Sequence, residues 1–207
     1  MKKTFYSLIA IAVTLVTFTA CSSDGGGNFP KPKKYNLPEK ATTIVPEEVL
    51  DQIKAQNFPI NEGTNPPVLN GTFVANPWKL LYTSHINSWK VGKELYNYKF
   101  TFYNQQGVNL KLDYSYQGEN TDVGKGVATI ISGNGNKFSI FSKSEGIESD
   151  VKYTLLSVFS GELTANGIKD LKRVLYVQSK ENDPNNKLIP VGGMRIWYDS
   201  DAISPKE

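Results

Sequence analysis

Few side chains in this 207-residue sequence could act as nucleophiles, imidazole bases or thiolate ligands. Cys21 is the single cysteine and His85 is the single histidine. One cysteine excludes a disulfide framework and a cysteine-based zinc site. The sequence has no Gly-x-Ser-x-Gly motif that would supply a serine nucleophile for His85. We therefore expect His85 to be a surface or turn residue, and we expect no catalytic residue, no metal site and no cofactor.

Carboxylates occur in two short groups. Glu145, Glu148 and Asp150 fall in one predicted loop, and Asp199 and Asp201 end the last predicted strand. Glycoside hydrolysis needs two carboxyl groups that face each other across a cleft. Calcium sites of the common loop type need a glycine-containing, Asp-rich loop, which is missing here. Both groups are more typical of solvated loop tips.

Aromatic side chains are concentrated on two adjacent predicted strands. Seven residues of these strands share one predicted face: Tyr96, Tyr98, Phe100, Phe102, Leu110, Leu112 and Tyr114. A hairpin would place all seven on one side of a sheet. They would then either fill the interior of a small barrel or line a ligand cavity. Trp78, Trp89 and Trp197 could instead face outward and stack on sugars or on another protein.

Period-two hydrophobicity predicts the elements that position these residues. Nine strands are expected, at residues 71–74, 79–84, 96–103, 108–115, 124–131, 137–142, 151–162, 171–179 and 194–200. The glycines at residues 124–126 and 133–136 lack the pattern of a phosphate loop and indicate hairpin turns. One short helix should follow Pro46, where acidic residues precede an apolar stripe. Short links between strands favour a barrel or a sandwich, and we predict an all-β fold, a single antiparallel up-and-down barrel of about 8–9 strands with one short N-terminal helix.

The N-terminus has the layout of an export signal. Lys2 and Lys3 precede an apolar stretch that is short for a membrane span, and small residues lead to Cys21. This layout resembles the signal of bacterial lipoproteins, in which cleavage precedes a cysteine that becomes lipid-modified. The alternative is an ordinary secretory signal with an incidental cysteine. We predict a lipoprotein signal peptide at residues 1–20, a flexible tether at residues 21–45 and the folded domain at residues 46–207.

Acylation of Cys21 would attach the protein to a membrane of the cell envelope. Ser22 and Ser23 stand where an aspartate would retain some lipoproteins in the inner membrane, so the outer membrane is favoured. Whether the domain faces the periplasm or the exterior, and its oligomeric state, stay open. Loss of Lys2 and Lys3 with the signal lowers the formal net charge from +3 to +1. Such a domain lacks the basic excess of nucleic-acid-binding proteins, so we expect no nucleic-acid partner.

Three turn and glycine patterns, at residues 63–73, 131–138 and 191–195, resemble segments of a group of Bacteroidetes-type lipoproteins of unassigned function. That group is similar to lipocalins and other calycin-like β-barrels. The lipocalin signature is Gly-x-Trp on the first strand, with an arginine of the last strand packed over the Trp. Gly71-Thr72-Phe73 and Arg195 match it with Phe in place of Trp. The resemblance therefore implies a lipocalin-like barrel with a clamp of Phe73 and Arg195 at one end, and it supplies no catalytic residues.

Three functions are compatible with these observations. The first is non-catalytic binding of a small, partly apolar ligand inside the barrel. The second is a surface module that binds a protein or a glycan and has a fully packed core. The third is a secreted hydrolase. An interior cavity would separate the first two, and a cleft that pairs carboxylates, or pairs His85 with a nucleophile, would favour the third.

Overall fold

The computed structural model describes residues 34–86, 89–118 and 121–207. Two helices come first, α1 (Glu39–Ile44) and α2 (Glu47–Lys54). The strands are β1 (Thr64–Asn65), β2 (Gly71–Ala75), β3 (Trp78–Thr83), β4 (Glu94–Leu95), β5 (Tyr98–Gln106), β6 (Asn109–Gln117), β7 (Thr121–Asn134), β8 (Lys137–Glu148), β9 (Val151–Thr164), β10 (Gly167–Glu181), β11 (Met194–Asp199) and β12 (Ile203–Ser204). No helix within the described ranges is long and apolar enough to cross a membrane.

The chain runs up and down through one curled antiparallel sheet. Its strand order is β2-β5-β6-β7-β8-β9-β10-β11-β3-β4, with β1 paired in parallel to β7 and β12 paired to β10. The expected all-β, antiparallel up-and-down architecture is therefore confirmed. The order of the described strands does not close into a hydrogen-bonded ring, so the sheet is an open half-barrel with more strands than expected, in place of a closed barrel.

Two connections bring β2 close to the far end of this strand order. Only Asn76 and Pro77 separate β2, which pairs with β5, from β3, which pairs with β11. In addition, the Val74 N–H donates to the Pro205 carbonyl at 3.0 Å, and the Glu207 N–H donates to the Thr72 carbonyl at 2.9 Å. Because β12 pairs with β10, this C-terminal segment bridges β2 and β10.

Apolar side chains are buried on both faces of the central strands. In β8, Phe138 and Ile140 belong to the inner hydrophobic cluster, and Phe141 belongs to the outer cluster beneath the helices. Between them, the Ser139 hydroxyl accepts the backbone N–H of Asn61 at 2.8 Å. The sheet is therefore a middle layer, which explains why β7 to β10 read as apolar runs more than as a strict alternation.

The helical region begins earlier than the sequence indicates. Helix α2 follows Pro46 as expected, and its Leu50 and Ile53 are buried in the outer cluster. Helix α1 was not expected, and it lies in the segment predicted as tether. Four apolar residues of this segment are buried in the outer cluster: Tyr35, Leu37, Ala41 and Val45. The compact unit spans Lys34–Glu207 and so includes residues 34–45 of the segment predicted as tether. The predicted signal peptide, Cys21 and the tether up to residue 33 lie outside the described residues.

Candidate functional site

The predicted aromatic hairpin forms, and it faces the interior. Strands β5 and β6 pair with Phe100 opposite Tyr114 and Phe102 opposite Leu112, and the register shifts between Tyr103 and Gln106. Six of the seven predicted residues are buried in the inner cluster: Tyr98, Phe100, Phe102, Leu110, Leu112 and Tyr114. These six are core residues, and of them Tyr98 also lines the cavity that is described below.

Tyr96 is the exception. It precedes β5, its side chain is 54% exposed, and its hydroxyl donates to Glu94 at 2.8 Å. The next residue, Asn97, has a φ of 58°, in the left-handed region. That conformation reverses the chain locally, so Tyr96 and Tyr98 do not share a strand face although they are two residues apart. The prediction that Tyr96 faces the interior is wrong.

The two predicted clamp residues are buried but have different partners. The Phe73 ring packs against Phe102, with ring centroids 6.0 Å apart. The Arg195 guanidinium lies 4.8 Å from the centroid of the Trp89 ring. The stack of an arginine of a late strand on an indole therefore occurs, but the indole belongs to the segment between β3 and β4 and not to the first predicted strand.

The polar centre of the interior is Arg173, on β10. Its side chain is 1% exposed, and its guanidinium lies 4.2 Å from the centroid of the Tyr114 ring. The Nε and Nη2 atoms donate to the Ser157 hydroxyl at 3.3 and 3.2 Å, and Nη1 donates to the Tyr98 hydroxyl at 3.3 Å. Burial opposes the charge of Arg173, but neighbouring phenolic groups and Asp122 outweigh it, and the pKa lies above its ordinary value. Arg173 is therefore a buried cation.

Asp122 supplies the balancing carboxylate. The hydroxyls of Tyr98 and Tyr153 both donate to it, and the Tyr153 hydroxyl lies 3.0 Å from that of Tyr114. Burial raises the pKa of Asp122, and the two tyrosine hydrogen bonds partly oppose that rise. Hydrogen bonds therefore connect the Arg173 cation to the Asp122 carboxylate through the Tyr98 hydroxyl.

Two glycines make room for these tyrosine rings. A Cβ at Gly124 would overlap the Tyr114 ring, and a Cβ at Gly146 would overlap the Tyr153 ring. Both Gly124 and Gly126 lie within β7, whereas the sequence indicated a hairpin turn at residues 124–126. Residues 133–136 do form the turn between β7 and β8, as expected.

A small cavity lies between this network and the end of the half-barrel where β8 turns into β9 and β10 leads into the 182–193 loop. We call this the open end. The cavity has a volume of about 30 Å³ and mostly apolar walls, which include Trp78, Trp89, Trp197, Tyr116, Leu188 and Ile189. By volume it holds about two water molecules. All three tryptophans of the chain line it, in place of the outward-facing positions that the sequence left open.

Two carboxyl groups and two guanidinium groups line the same cavity: Asp122, Glu148, Arg173 and Arg195. Glu148 lies directly opposite Asp122 in the β7–β8 ladder. Burial, and secondarily the charge of Asp122, raise the pKa of Glu148 to about 7. The sequence suggested a solvated loop tip for Glu148, and the structure does not place it there. It is on β8 and titrates near neutral pH.

The other predicted polar groups lie elsewhere. His85 is exposed, and its Nδ1 lies 3.2 Å from the hydroxyl of Ser84, which already accepts the Met194 N–H at 2.8 Å. Asp199 is buried, accepts a hydrogen bond from the Ser204 hydroxyl, and has a pKa raised to about 6 mainly by burial. Within the described ranges, no group of three or more His, Cys, Asp or Glu residues is placed to hold a metal ion.

Sequence reasoning missed Arg173, Asp122 and Glu148, although the pattern contained a signal. Arg173 has the same strand phase as Leu171 and Leu175, so strict alternation on β10 assigns it to the interior. Asp122 lies opposite Tyr116 in the β6–β7 ladder, and Glu148 lies opposite Asp122. Extending the register of the aromatic hairpin by two strands would have placed both carboxyls.

Comparison with known proteins adds no assignment. No protein-family model matches the chain. No curated protein and no solved structure matches it either. Function is therefore inferred from the geometry of the cavity and its charged groups.

Proposed function

We propose that the half-barrel binds a small, partly apolar ligand at its open end, without catalysis. The observation that carries the proposal is one concave site in which three indole rings surround charged groups that include Glu148 and Arg195. Apolar walls with a few convergent polar groups are typical of small-molecule sites. A group with a shifted pKa in a cavity is also characteristic of functional sites.

The size of the cavity limits what enters it. A volume of about 30 Å³ admits a small head group and not a whole sugar ring. Asp122 is also engaged by two tyrosine hydroxyls, which leaves it poorly suited to be a nucleophile. Both points favour binding over hydrolysis. A larger ligand would leave its apolar part against Trp89, which is only partly buried.

Tryptophan fluorescence and native mass spectrometry test this proposal. The protein for both is residues 21–207 with Cys21→Ser, which contains the whole compact unit Lys34–Glu207 with both hydrophobic clusters. Because every tryptophan of the chain lines the cavity, intrinsic fluorescence reports on this site alone. We expect a co-purified or added small molecule to shift the emission and to appear as a mass adduct.

A matched pair of variants makes the test specific. Leu175→Phe adds bulk in the cavity wall, and Leu163→Phe makes the same change at the opposite end of the inner cluster. Only Leu175→Phe should abolish binding. Equal binding by both variants would exclude the cavity as the ligand site.

A second candidate is a surface module that binds a protein or a glycan. It is favoured by the nearly filled interior and by exposed aliphatic side chains at the open end, of which Ile86 is 86% exposed and Val191 is 57% exposed. Failure of every small molecule to bind, together with loss of partner binding in Ile86→Ser, would establish this alternative.

We also propose that the chain is an outer-membrane lipoprotein of the cell envelope, anchored through acylated Cys21. The N-terminal pattern and the resemblance to Bacteroidetes-type lipoproteins support this. For the fold, we propose a lipocalin-like half-barrel in which the two-residue link at Asn76 and Pro77 and the C-terminal segment bridge the gap between β2 and the far end of the strand order. Support for this comes from the hydrogen bonds of Val74 and Glu207 across the gap.

A further inference from the structure

Of the two carboxyl groups that line the cavity, Glu148 is the one without a hydrogen-bond donor among the described residues. Across the described ranges, no residue donates a hydrogen bond to it. Asp122, by contrast, accepts from two tyrosines, and Arg173 donates to Ser157 and Tyr98. The Glu148 side chain is only partly buried, so a molecule in the cavity can reach the carboxyl group and supply a donor to it.

The charges around Glu148 favour a cation as that donor. Its cross-strand neighbour is Asp122, and the charge of Asp122 is the strongest electrostatic influence on it. Arg195, Arg173 and Asp183 also face it, and the two arginines act in the opposite sense to the two aspartates. When a protonated Glu148 loses its proton and receives an organic cation, the net charge of the cluster is unchanged.

The walls and the volume fit the same head group. Trp89 and Trp197 pack edge to face, with ring centroids 5.6 Å apart, and Trp78 closes the inner side. Indole faces attract ammonium groups, and the charge-assisted N–H···O bond to a carboxylate is stronger than a neutral one. A cavity of about 30 Å³ matches an ammonium group on one methylene, with the rest of the molecule outside.

We propose that the ligand is an organic ammonium ion with an apolar body, and that Glu148 is the residue that selects it by accepting its N–H hydrogen bonds. This inference rests on the proposed function, because it names the ligand class of the same cavity. The proton that Glu148 releases goes to solvent, and no covalent bond forms or breaks. Binding should therefore be coupled to pH.

The test uses three probes of similar size and different charge: benzylamine, benzyl alcohol and phenylacetate. Each is titrated into residues 21–207 with Cys21→Ser and followed by tryptophan emission, which reports on this cavity. We expect benzylamine to bind roughly tenfold tighter than benzyl alcohol, which corresponds to about 1.4 kcal/mol. Benzylamine affinity should rise roughly thirtyfold between about pH 5.5 and about pH 8, as the ionised fraction of Glu148 rises around its pKa of about 7.

Glu148→Gln should remove both the preference for benzylamine over benzyl alcohol and its pH dependence. Glu145→Gln is the matched control, because Glu145 is on the same strand but is exposed on the outer face. A thermal unfolding curve confirms that each variant is folded, and Glu148→Asp, which keeps the charge, should retain part of the preference.

The outcomes separate the two proposals. If benzyl alcohol or phenylacetate binds as tightly as benzylamine, or if Glu148→Gln keeps the preference, the ammonium inference is overturned and the ligand-binding function stands. Tighter phenylacetate binding as the pH falls would show an anion site built on Arg195. If none of the three probes changes the emission, the cavity is not a site for such ligands and both proposals fall.

Discussion

At the residue scale, Phe100 holds the inner cluster together. It is fully buried, and its ring lies 5.3 Å from Trp78, 5.2 Å from Phe159 and 4.9 Å from Tyr98, centroid to centroid. Phe100→Ala should lower the free energy of unfolding by about 3–5 kcal/mol, because it removes buried area and leaves a void. Urea unfolding measures this. Tyr96→Ala, at an exposed position, should change stability by less than about 0.5 kcal/mol, and equal effects of the two variants would contradict the assigned faces.

Glu148 should make stability depend on pH in a defined direction. Its pKa is about 7 in the folded protein against an ordinary value of 4.5, so the folded state binds more protons than the unfolded state between these values. Stability should therefore be highest below the lower pKa and should fall, by up to roughly 3 kcal/mol, as the pH rises through the upper one. Urea unfolding at several pH values should show a flatter profile for Glu148→Gln than for Glu145→Gln. Asp122 and Asp199, whose pKa values are also raised, should leave a residual slope of the same sign.

At the element scale, the C-terminal segment joins parts of the sheet that the strand ladders leave apart. Deleting residues 205–207 removes the hydrogen bond from the Val74 N–H to the Pro205 carbonyl, the one from the Glu207 N–H to the Thr72 carbonyl, and the ion pair of Glu207 with Lys99. We expect a loss of about 1–3 kcal/mol of stability, mostly from the two backbone hydrogen bonds. Hydrogen exchange at the Val74 amide should become faster, because this N–H loses its acceptor, the Pro205 carbonyl. Unchanged protection there would mean that β2 is held by β5 alone.

Some of the helices and strands could be predicted from the local sequence pattern, and others could not. The β5–β6 hairpin and helix α2 were predictable, because alternation and a proline-led acidic first turn act over a few residues. Helix α1 was not, since its six residues have no strong pattern and it is stabilised by docking on β7 and β8. The position of Tyr96 depended on one left-handed residue, Asn97, which hydrophobic periodicity does not reveal.

At the scale of the whole molecule, the proposed lipid anchor at Cys21 would place the domain at a membrane surface. Cys21→Ser should prevent acylation and release the protein from membranes, or leave residues 1–20 attached. Detergent-phase partitioning and the mass of the mature chain measure both results. A normally processed Cys21→Ser protein that still partitions into the detergent phase would refute the lipoprotein proposal.

The sequence by itself determined the fold class, the aromatic hairpin and helix α2, because these follow from patterns within single elements. Tertiary structure alone decided that the sheet stays an open half-barrel, that the three tryptophans turn inward, and that Asp122, Glu148 and Arg173 meet in one cavity. Those features depend on register carried across several strands and on the curl of the sheet. Each strand fixes only which of its residues share a face, and the curl decides which face becomes the interior.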